Sequence, residues 1–105
     1  MRAPIVVNIS AAVAQGMLEY RVVPDYPSAA KDARMEGTVV LQVKIGKDGR
    51  LKDITVVSGA KVFQGSAIQA VQQWRYRPYL LNGEPVEVEA TINVTFSLNH
   101  SGPRP

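Results

Sequence analysis

The sequence predicts an α+β domain in which a three-stranded antiparallel sheet carries two helices packed on one face. Three observations lead to this prediction. Apolar and polar residues alternate over residues 38–45 and 51–57, and an Asp-Gly pair between these runs is typical of a β-hairpin. A third alternating run covers residues 86–98. Two segments with helical spacing precede and follow the hairpin, and alternation of this kind leaves one apolar sheet face for them to cover.

The first helix is predicted to run from about Tyr26 to Met35. Asp25 is suited to cap its N-terminus, and Gly37 is suited to end it. The prolines at 24 and 27 stiffen the chain before the helix. Its alanines leave one face smooth enough to lie close to a sheet.

The second helix is predicted to end near Tyr76, because Pro78 disfavours helical backbone in the residue before it. Glutamines fill the polar positions between its apolar residues. Those apolar residues recur at spacings of three and four, as on one buried face: Phe63, Ala67, Ala70 or Val71, and Trp74. An Asn-Gly pair at 82–83 then marks a turn that leads into the last strand.

The last strand is predicted to run from Val86 to Leu98, about 40 Å at ~3.3 Å per residue. From Thr91 onward this run contains no proline, glycine or charged residue. Because the other two strands form a hairpin, we expect this strand at an edge of the sheet. Long, regular edges are usually spoiled by proline, charge or a bulge. An edge left open therefore favours capture of an extended peptide by strand addition.

The bulk composition indicates one domain of 105 residues. Residues 1–22 are weakly patterned and compatible with a short strand, residues 23–99 form the domain, and residues 100–105 form a flexible polar tail. The net charge is +3, and the basic residues are scattered along the chain rather than clustered. This distribution disfavours nucleic-acid binding. The chain has no cysteine, so disulfides and thiolate metal sites are excluded.

The candidates for catalysis are few. His100 is the only histidine, and it lies in the polar tail, so the usual nucleophile–base pairs cannot be built. Glu87 and Glu89 share one strand face, where a solvated outer surface is a better interpretation than an acid–base pair. The sequence supplies no third ligand beside them for a metal. We therefore expect neither an enzyme nor a bound cofactor.

The residues resemble the C-terminal domain of the TonB family of energy transducers over about residues 22–99. This resemblance rests on Tyr26-Pro27 before a small helix, Gly37-Thr38-Val39, Asp48-Gly49, and Trp74-Arg75-Tyr76-Arg77-Pro78 followed by Asn82-Gly83. The related transducer TolA has a similar domain that usually carries a disulfide, which a chain without cysteine cannot form.

The resemblance implies a periplasmic domain tethered to the inner membrane and driven by an ExbB–ExbD motor during nutrient uptake, siderophores included. It implies as partner the Ton box of an outer-membrane transporter, paired with the last strand. Where enterobacterial TonB has a partner-contacting glutamine, this chain has Val23. The implied partner-binding residues are Val23, Asp25, Tyr26, Pro27, Thr91, Ile92, Asn93, Val94, Thr95, Phe96, Ser97 and Leu98.

A second interpretation remains open. The same strand is suited to pairing with its own copy in a self-associating or structural periplasmic domain, fused to a sensor or another membrane protein. On the first interpretation we expect a monomer in dilute solution and a strand-paired dimer only when the protein is concentrated.

Overall fold

The central sheet has four strands. These strands are β1 (Val7–Ile9), β3 (Gly37–Ile45), β4 (Leu51–Ser58) and β8 (Val88–Phe96) in a computed structural model that describes residues 7–98. β3 pairs antiparallel with β4 and with β8, whereas β1 pairs parallel with β8. The predicted α+β class is confirmed, but the predicted count of three strands is wrong because β1 adds a fourth.

Three helices, one more than predicted, and two small ladders complete the fold among the described residues. The helices are α1 (Ala11–Met17), α2 (Ser28–Asp32) and α3 (Lys61–Val71). The ladders pair β2 (Leu18–Tyr20) with β5 (Arg75–Tyr76), and β6 (Tyr79–Leu81) with β7 (Glu84–Val86). Among residues 7–98, no helix has both the length and the apolar character needed to cross a membrane. His100 and the tail predicted at 100–105 lie outside the described residues.

The hairpin between β3 and β4 is confirmed. The Gly49 N–H donates to the Gly46 carbonyl over 2.9 Å, and the Gly46 N–H donates to the Arg50 carbonyl over 2.8 Å. Gly49 has φ +83°, and a Cβ built there would lie 1.9 Å from the Tyr76 carbonyl oxygen. Glycine is therefore required both by the left-handed backbone and by the approach of β5.

The core lies between the apolar sheet face and the helices, and aromatic rings close one end of it. Phe63 of α3 stacks on Phe96 of β8 at 4.5 Å between ring centroids. The apolar positions of the alternating runs and of the second predicted helix are expected to form one core, and this is confirmed, although Ile54 and Val56 are only half-buried. The residues of this set that are buried are Val39, Leu41, Val43, Phe63, Ala67, Val71, Trp74, Val88, Ile92, Val94 and Phe96.

The first predicted helix is shorter than expected. α2 spans five residues, and its N-cap is Pro27, which makes no side-chain capping bond, rather than Asp25. Pro27 has φ −62° and ψ 134°, an extended conformation that ends just where the helix begins. Arg34 has φ +54°, so the backbone leaves the helix before Met35.

The last predicted strand is also shorter than expected. Val86 belongs to β7 and pairs with Tyr79 in the hairpin turned by Asn82 and Gly83. Regular pairing on β3 extends from Val88 to Phe96, so the strand has nine residues and not thirteen. The alternating pattern continues across the break because β7 and β8 are both strands, in which successive side chains point to opposite faces.

Candidate partner-binding edge

The two outer edges of the central sheet differ in how they are protected. At β4, the register on β3 shifts twice and Asp53 has φ +53°, which marks a bulge. Lys52 and Asp53 place two charged residues at this bulge. Bulges and charges of this kind discourage further pairing. At β8, β1 covers the stretch from Val88 to Ala90. Within residues 7–98, no strand pairs with the outer side of β8 from Thr91 to Phe96.

The register shows which backbone groups face this open stretch. The Gly46 N–H donates to the Arg50 carbonyl, so even-numbered residues of β3 direct their N–H and C=O groups towards β4. Odd-numbered residues of β3 then face β8, and Leu41, for example, lies opposite Ile92. Even-numbered residues of β8 consequently direct their backbone groups towards β3.

The odd-numbered residues of β8 direct their backbone groups outward. Thr91, Asn93 and Thr95 therefore present N–H and C=O groups on the side that β1 begins to cover. Their side chains lie on the polar face of the sheet, where Thr95 Oγ1 is 3.2 Å from Thr38 Oγ1. The open edge thus offers backbone groups to a partner, while its side chains belong to a face that the helices do not cover.

A groove of about 510 Å³ runs beside this edge. Trp74 and Tyr76 line it, and both are buried in the core on their other sides. Burial raises the pKa of the Tyr76 hydroxyl to about 12. Its other lining residues come from α1, from the chain after it and from β8: Ala11, Ala14, Gln15, Leu18, Arg21, Thr91, Ile92, Asn93 and Thr95.

Tyr26 lies at the far end of β8. Its ring makes edge-to-face contacts with Phe96 at 5.7 Å and with Phe63 at 5.8 Å, and its hydroxyl donates to the Met35 carbonyl. Burial, with the nearby Glu36 carboxylate as a second cause, raises the pKa of Tyr26. The structure therefore places Tyr26 at the end of the open edge, where its ring packs against Phe63 and Phe96.

The other predicted site residues near Tyr26 in sequence are part of different regions of the domain. Asp25 is joined to α3, because its carbonyl accepts a hydrogen bond from Ser66 Oγ. Val23 is 74% exposed, beside the point where Val22 accepts a hydrogen bond from Trp74. Pro27 is the N-cap of α2.

The last two predicted site residues lie beyond the strand. Ser97 and Leu98 follow the end of β8. The Leu98 N–H donates to the Glu36 carboxylate over 2.7 Å, so this group is already engaged within the domain.

The two candidate carboxylates on the polar face are engaged separately. Glu87 pairs with Lys52 at 2.7 Å, which raises the pKa of Lys52, and Glu89 accepts a hydrogen bond from Gln42 at 3.5 Å. They therefore do not converge on one atom as an acid–base pair requires. In the part of the chain that the structure describes, no three histidine or acidic residues gather in a way that could hold a metal ion.

The groove residues from α1 and the chain after it were missed by the sequence analysis. Ala11, Ala14 and Gln15 sit in a segment without clear periodicity, and Arg21 gave no signal beyond its charge. The one available signal was Ser10, whose side chain accepts a hydrogen bond from the Val13 N–H as an N-cap. Placement against β8 depends on parallel pairing between segments about 80 residues apart, which no local pattern encodes.

Comparison with known proteins adds sequence and structural relatives. The family described as the Gram-negative bacterial TonB protein C-terminal matches residues 22–98. The TonB protein of Vibrio cholerae is 31% identical over 84 residues, which cover 78% of this chain and 34% of that protein. The chain spans about a third of the length of the curated relatives it matches.

Two solved structures have a similar fold. The solution structure of the Pseudomonas aeruginosa TonB C-terminal domain matches with a TM-score of 0.66 and 30% identity, over 78% of this chain and 85% of that one. The TonB2 protein of Vibrio anguillarum matches with a TM-score of 0.61 and 33% identity, over 94% of this chain and 95% of that one.

Proposed function

Because this chain belongs to the family of Gram-negative TonB C-terminal domains, we propose that it is the periplasmic coupling domain of a TonB-like energy transducer. Its partner is the Ton box of an outer-membrane transporter, which adds to the sheet as an extra strand along β8. The parent protein is tethered to the inner membrane, and an ExbB–ExbD motor supplies the force through it. The domain transmits that force and performs no chemistry.

The observation that supports this proposal is the open stretch of β8 from Thr91 to Phe96. Thr91, Asn93 and Thr95 direct backbone groups outward, whereas β4 at the opposite edge carries a bulge and charges. A regular strand without proline, glycine or charge is an aggregation hazard unless it has a partner. Strand addition gives that stretch its function, because the main chain provides affinity without requiring one fixed partner sequence.

The energetics suit a force-bearing contact. Each backbone hydrogen bond contributes about 0.5–1.5 kcal/mol net. A few such bonds give only modest affinity at rest. When the partner is pulled along the strand direction, these bonds are loaded together in shear, so that a weak complex can still transmit force. The groove beside Trp74 and Tyr76 provides room for partner side chains that point away from the polar face.

The second candidate function is self-association through the same edge. The observation that favours it is again the open stretch of β8, since an exposed edge can pair with a copy of itself. In that case the domain would be a structural or self-associating module of another membrane protein. The two candidates differ in which strand lies against Asn93 and Thr95.

The experiment is a titration of the ¹⁵N-labelled domain with a synthetic Ton-box peptide from a transporter of the same organism. Among the residues of β8, we expect the amide signals of Asn93 and Thr95 to shift most, since their N–H groups gain acceptors. A peptide with proline at alternate positions is the matched control and should shift them far less. Shifts confined to the 47–52 hairpin, or no shifts at any concentration, would contradict strand addition and favour self-association.

A further inference from the structure

The outer edge of β8 is already partly occupied by the chain itself. Val7, Asn8 and Ile9 of β1 lie opposite Val88, Glu89 and Ala90 in parallel register. α1 follows after one residue and packs against β8. The chain's own N-terminal segment thus lies on the side where a partner strand would add.

We infer that residues 7–15 are a built-in competitor for the partner strand, and that binding proceeds by strand exchange in which this segment leaves the edge of β8. This inference rests on the proposed function and concerns how the same site is regulated. In the free domain the segment shields the edge, and it leaves only when a longer strand takes its place.

The geometry makes the two occupants exclusive. A paired strand must lie about 4.8 Å from its neighbour. Ala11, Ala14 and Gln15 of α1 line the same groove as Asn93 and Thr95, and Ala14 is buried to 1% exposure. A partner strand that pairs along the whole stretch from Thr91 to Phe96 would therefore occupy space that α1 now fills.

The segment is held weakly enough to be displaced. β1 has three residues and α1 has seven, and a helix this short is not stable alone in water. Within this segment Ile9 and Ala14 are the buried residues, while Val13 is 47% exposed. The segment therefore contributes two buried side chains and a short ladder, a set that a longer strand can replace.

The chain just after residues 7–15 is hydrogen-bonded to the rest of the domain, so the hinge for displacement lies where these bonds begin. Arg77 Nη2 donates to the Gly16 carbonyl over 2.8 Å, and the Arg77 N–H donates to the Met17 carbonyl over 2.8 Å. β2 then continues as a ladder with β5. A Cβ built on Gly16 would meet nothing within 4 Å, so the packing around this residue is open. Displacement would therefore pivot at Gly16 and leave β2 in place.

A disulfide that locks β1 to β8 tests the inference in the full chain. The chain has no cysteine, so two introduced cysteines can form only one disulfide within the protein. In Asn8→Cys/Glu89→Cys the two residues are register partners across the β1–β8 ladder. Adjacent strands place Cα atoms within the ~4.4–6.8 Å that a disulfide spans. The matched control is Lys44→Cys/Glu89→Cys, which shares one substitution but joins β3 to β8.

Binding of a fluorescently labelled Ton-box peptide is then measured for both variants, each oxidised and reduced. We expect oxidation of the β1–β8 lock to weaken binding by about tenfold or more, because the competent state is no longer populated. Reduction should restore binding, and the control should bind alike in both states. In the unmodified protein, saturating peptide should move the amide signals of Ile9 and Ala14 towards those of an unfolded segment.

The outcomes separate the two proposals. Equal binding by the oxidised and reduced lock overturns strand exchange, and the proposed function stands. Unchanged Ile9 and Ala14 signals at saturation also overturn it, since the partner would then bind beside an intact segment. If no sample binds the peptide, including the unmodified protein, the proposed function fails and this inference fails with it.

Discussion

The indole N–H of Trp74 donates a hydrogen bond to the Val22 carbonyl over 2.8 Å. The bond joins the end of α3 to the segment that precedes α2, and the Arg21 guanidinium lies 5.7 Å from the centre of the same indole ring. Trp74 also lines the groove beside β8 while only 5% of it is exposed. One residue therefore connects the core, the segment leading to Tyr26 and the candidate site.

Replacing Trp74 by alanine should destabilise the domain by about 3–5 kcal/mol, the usual cost of truncating a buried aromatic side chain. Trp74→Phe should cost less, because it keeps much of the packing and loses the part-buried bond to Val22, which contributes about 0.5–1.5 kcal/mol net. Denaturant unfolding measures both. A loss below about 1 kcal/mol for Trp74→Ala would show that the indole contributes little to the core.

The burial of Trp74 could be predicted from sequence, but its hydrogen bond could not. The spacing of three and four that continues from Phe63 to Trp74 indicates which side chains face the sheet, since a helix repeats every 3.6 residues. The helix itself is shorter than predicted, because α3 ends at Val71 and Tyr76 belongs to β5. The bond to Val22 depends on the path of an irregular segment, which has no period. The same limit explains Asp25, which has the right residue type for an N-cap but precedes a proline that takes that position.

The alternation over residues 88–96 likewise predicted the strand that carries the candidate edge. It could not predict that β1 and α1 lie against that strand. A three-residue strand has too few positions for a periodic signal, and its parallel pairing joins the two ends of the domain. The sequence therefore indicated the surface that a partner could use and missed the segment that now covers part of it.

Gly49 and Gly83 have the same φ but different surroundings, so a comparison of the two separates the cost of backbone strain from the cost of steric contact. Gly49 and Gly83 both have φ +83°, but a Cβ on Gly49 would meet the Tyr76 carbonyl oxygen at 1.9 Å, whereas a Cβ on Gly83 would meet nothing within 4 Å. Gly83→Ala should cost about 1–2 kcal/mol from the left-handed backbone alone. Gly49→Ala should cost about 1–3 kcal/mol more from overpacking against β5.

Thermal or denaturant unfolding of the two glycine variants gives the comparison directly. If Gly49→Ala and Gly83→Ala lose the same stability, then β5 moves away from the hairpin at little cost, and the approach of Tyr76 to Gly49 is not a fixed feature of the fold.

Stability should fall in strongly alkaline solution because of Tyr76. Burial raises its pKa to about 12, above the ordinary value of 10. Between these values the unfolded chain loses the tyrosine proton while the folded protein keeps it, so the free energy of unfolding decreases as pH rises. A two-unit difference corresponds to about 2.7 kcal/mol, which residual solvation reduces to about 1–2 kcal/mol. Below pH 10 this contribution is fully present.

Tyr76→Phe is the matched variant for the alkaline measurement, since it keeps the ring and removes the titrating hydroxyl. Its unfolding free energy should fall less between pH 10 and 12 than that of the parent protein. Parallel curves for the two proteins would show that Tyr76 is solvated in the folded state and would contradict its burial.

The oligomeric state should depend on concentration. β1 shields part of the β8 edge, so we expect a monomer at micromolar concentration and strand-paired dimers only in concentrated samples. Sedimentation velocity over a wide concentration range measures this. Asn93→Lys places a charge on the open stretch and should suppress the dimer without unfolding the domain. A tight dimer at micromolar concentration would favour the self-association function.

Proline at Asn93 should separate partner binding from folding. The register directs the Asn93 N–H outward, away from β3, so its loss removes a group offered to the partner and leaves the β3–β8 ladder intact. We expect Asn93→Pro to weaken binding of a Ton-box peptide by about tenfold or more, since a lost bond and the obstructing ring act together. Peptide titration by fluorescence anisotropy measures the change.

Asn93→Ala is the control, because it removes the side chain and keeps the N–H. It should bind the peptide within about twofold of the parent protein, since the Asn93 side chain lies on the polar face and the backbone carries the contact. Denaturant unfolding of both variants must accompany the titrations, so that loss of binding is compared with loss of stability. If alanine weakens binding as much as proline does, the partner reads the side chain at this position, and backbone pairing along β8 is not what holds it.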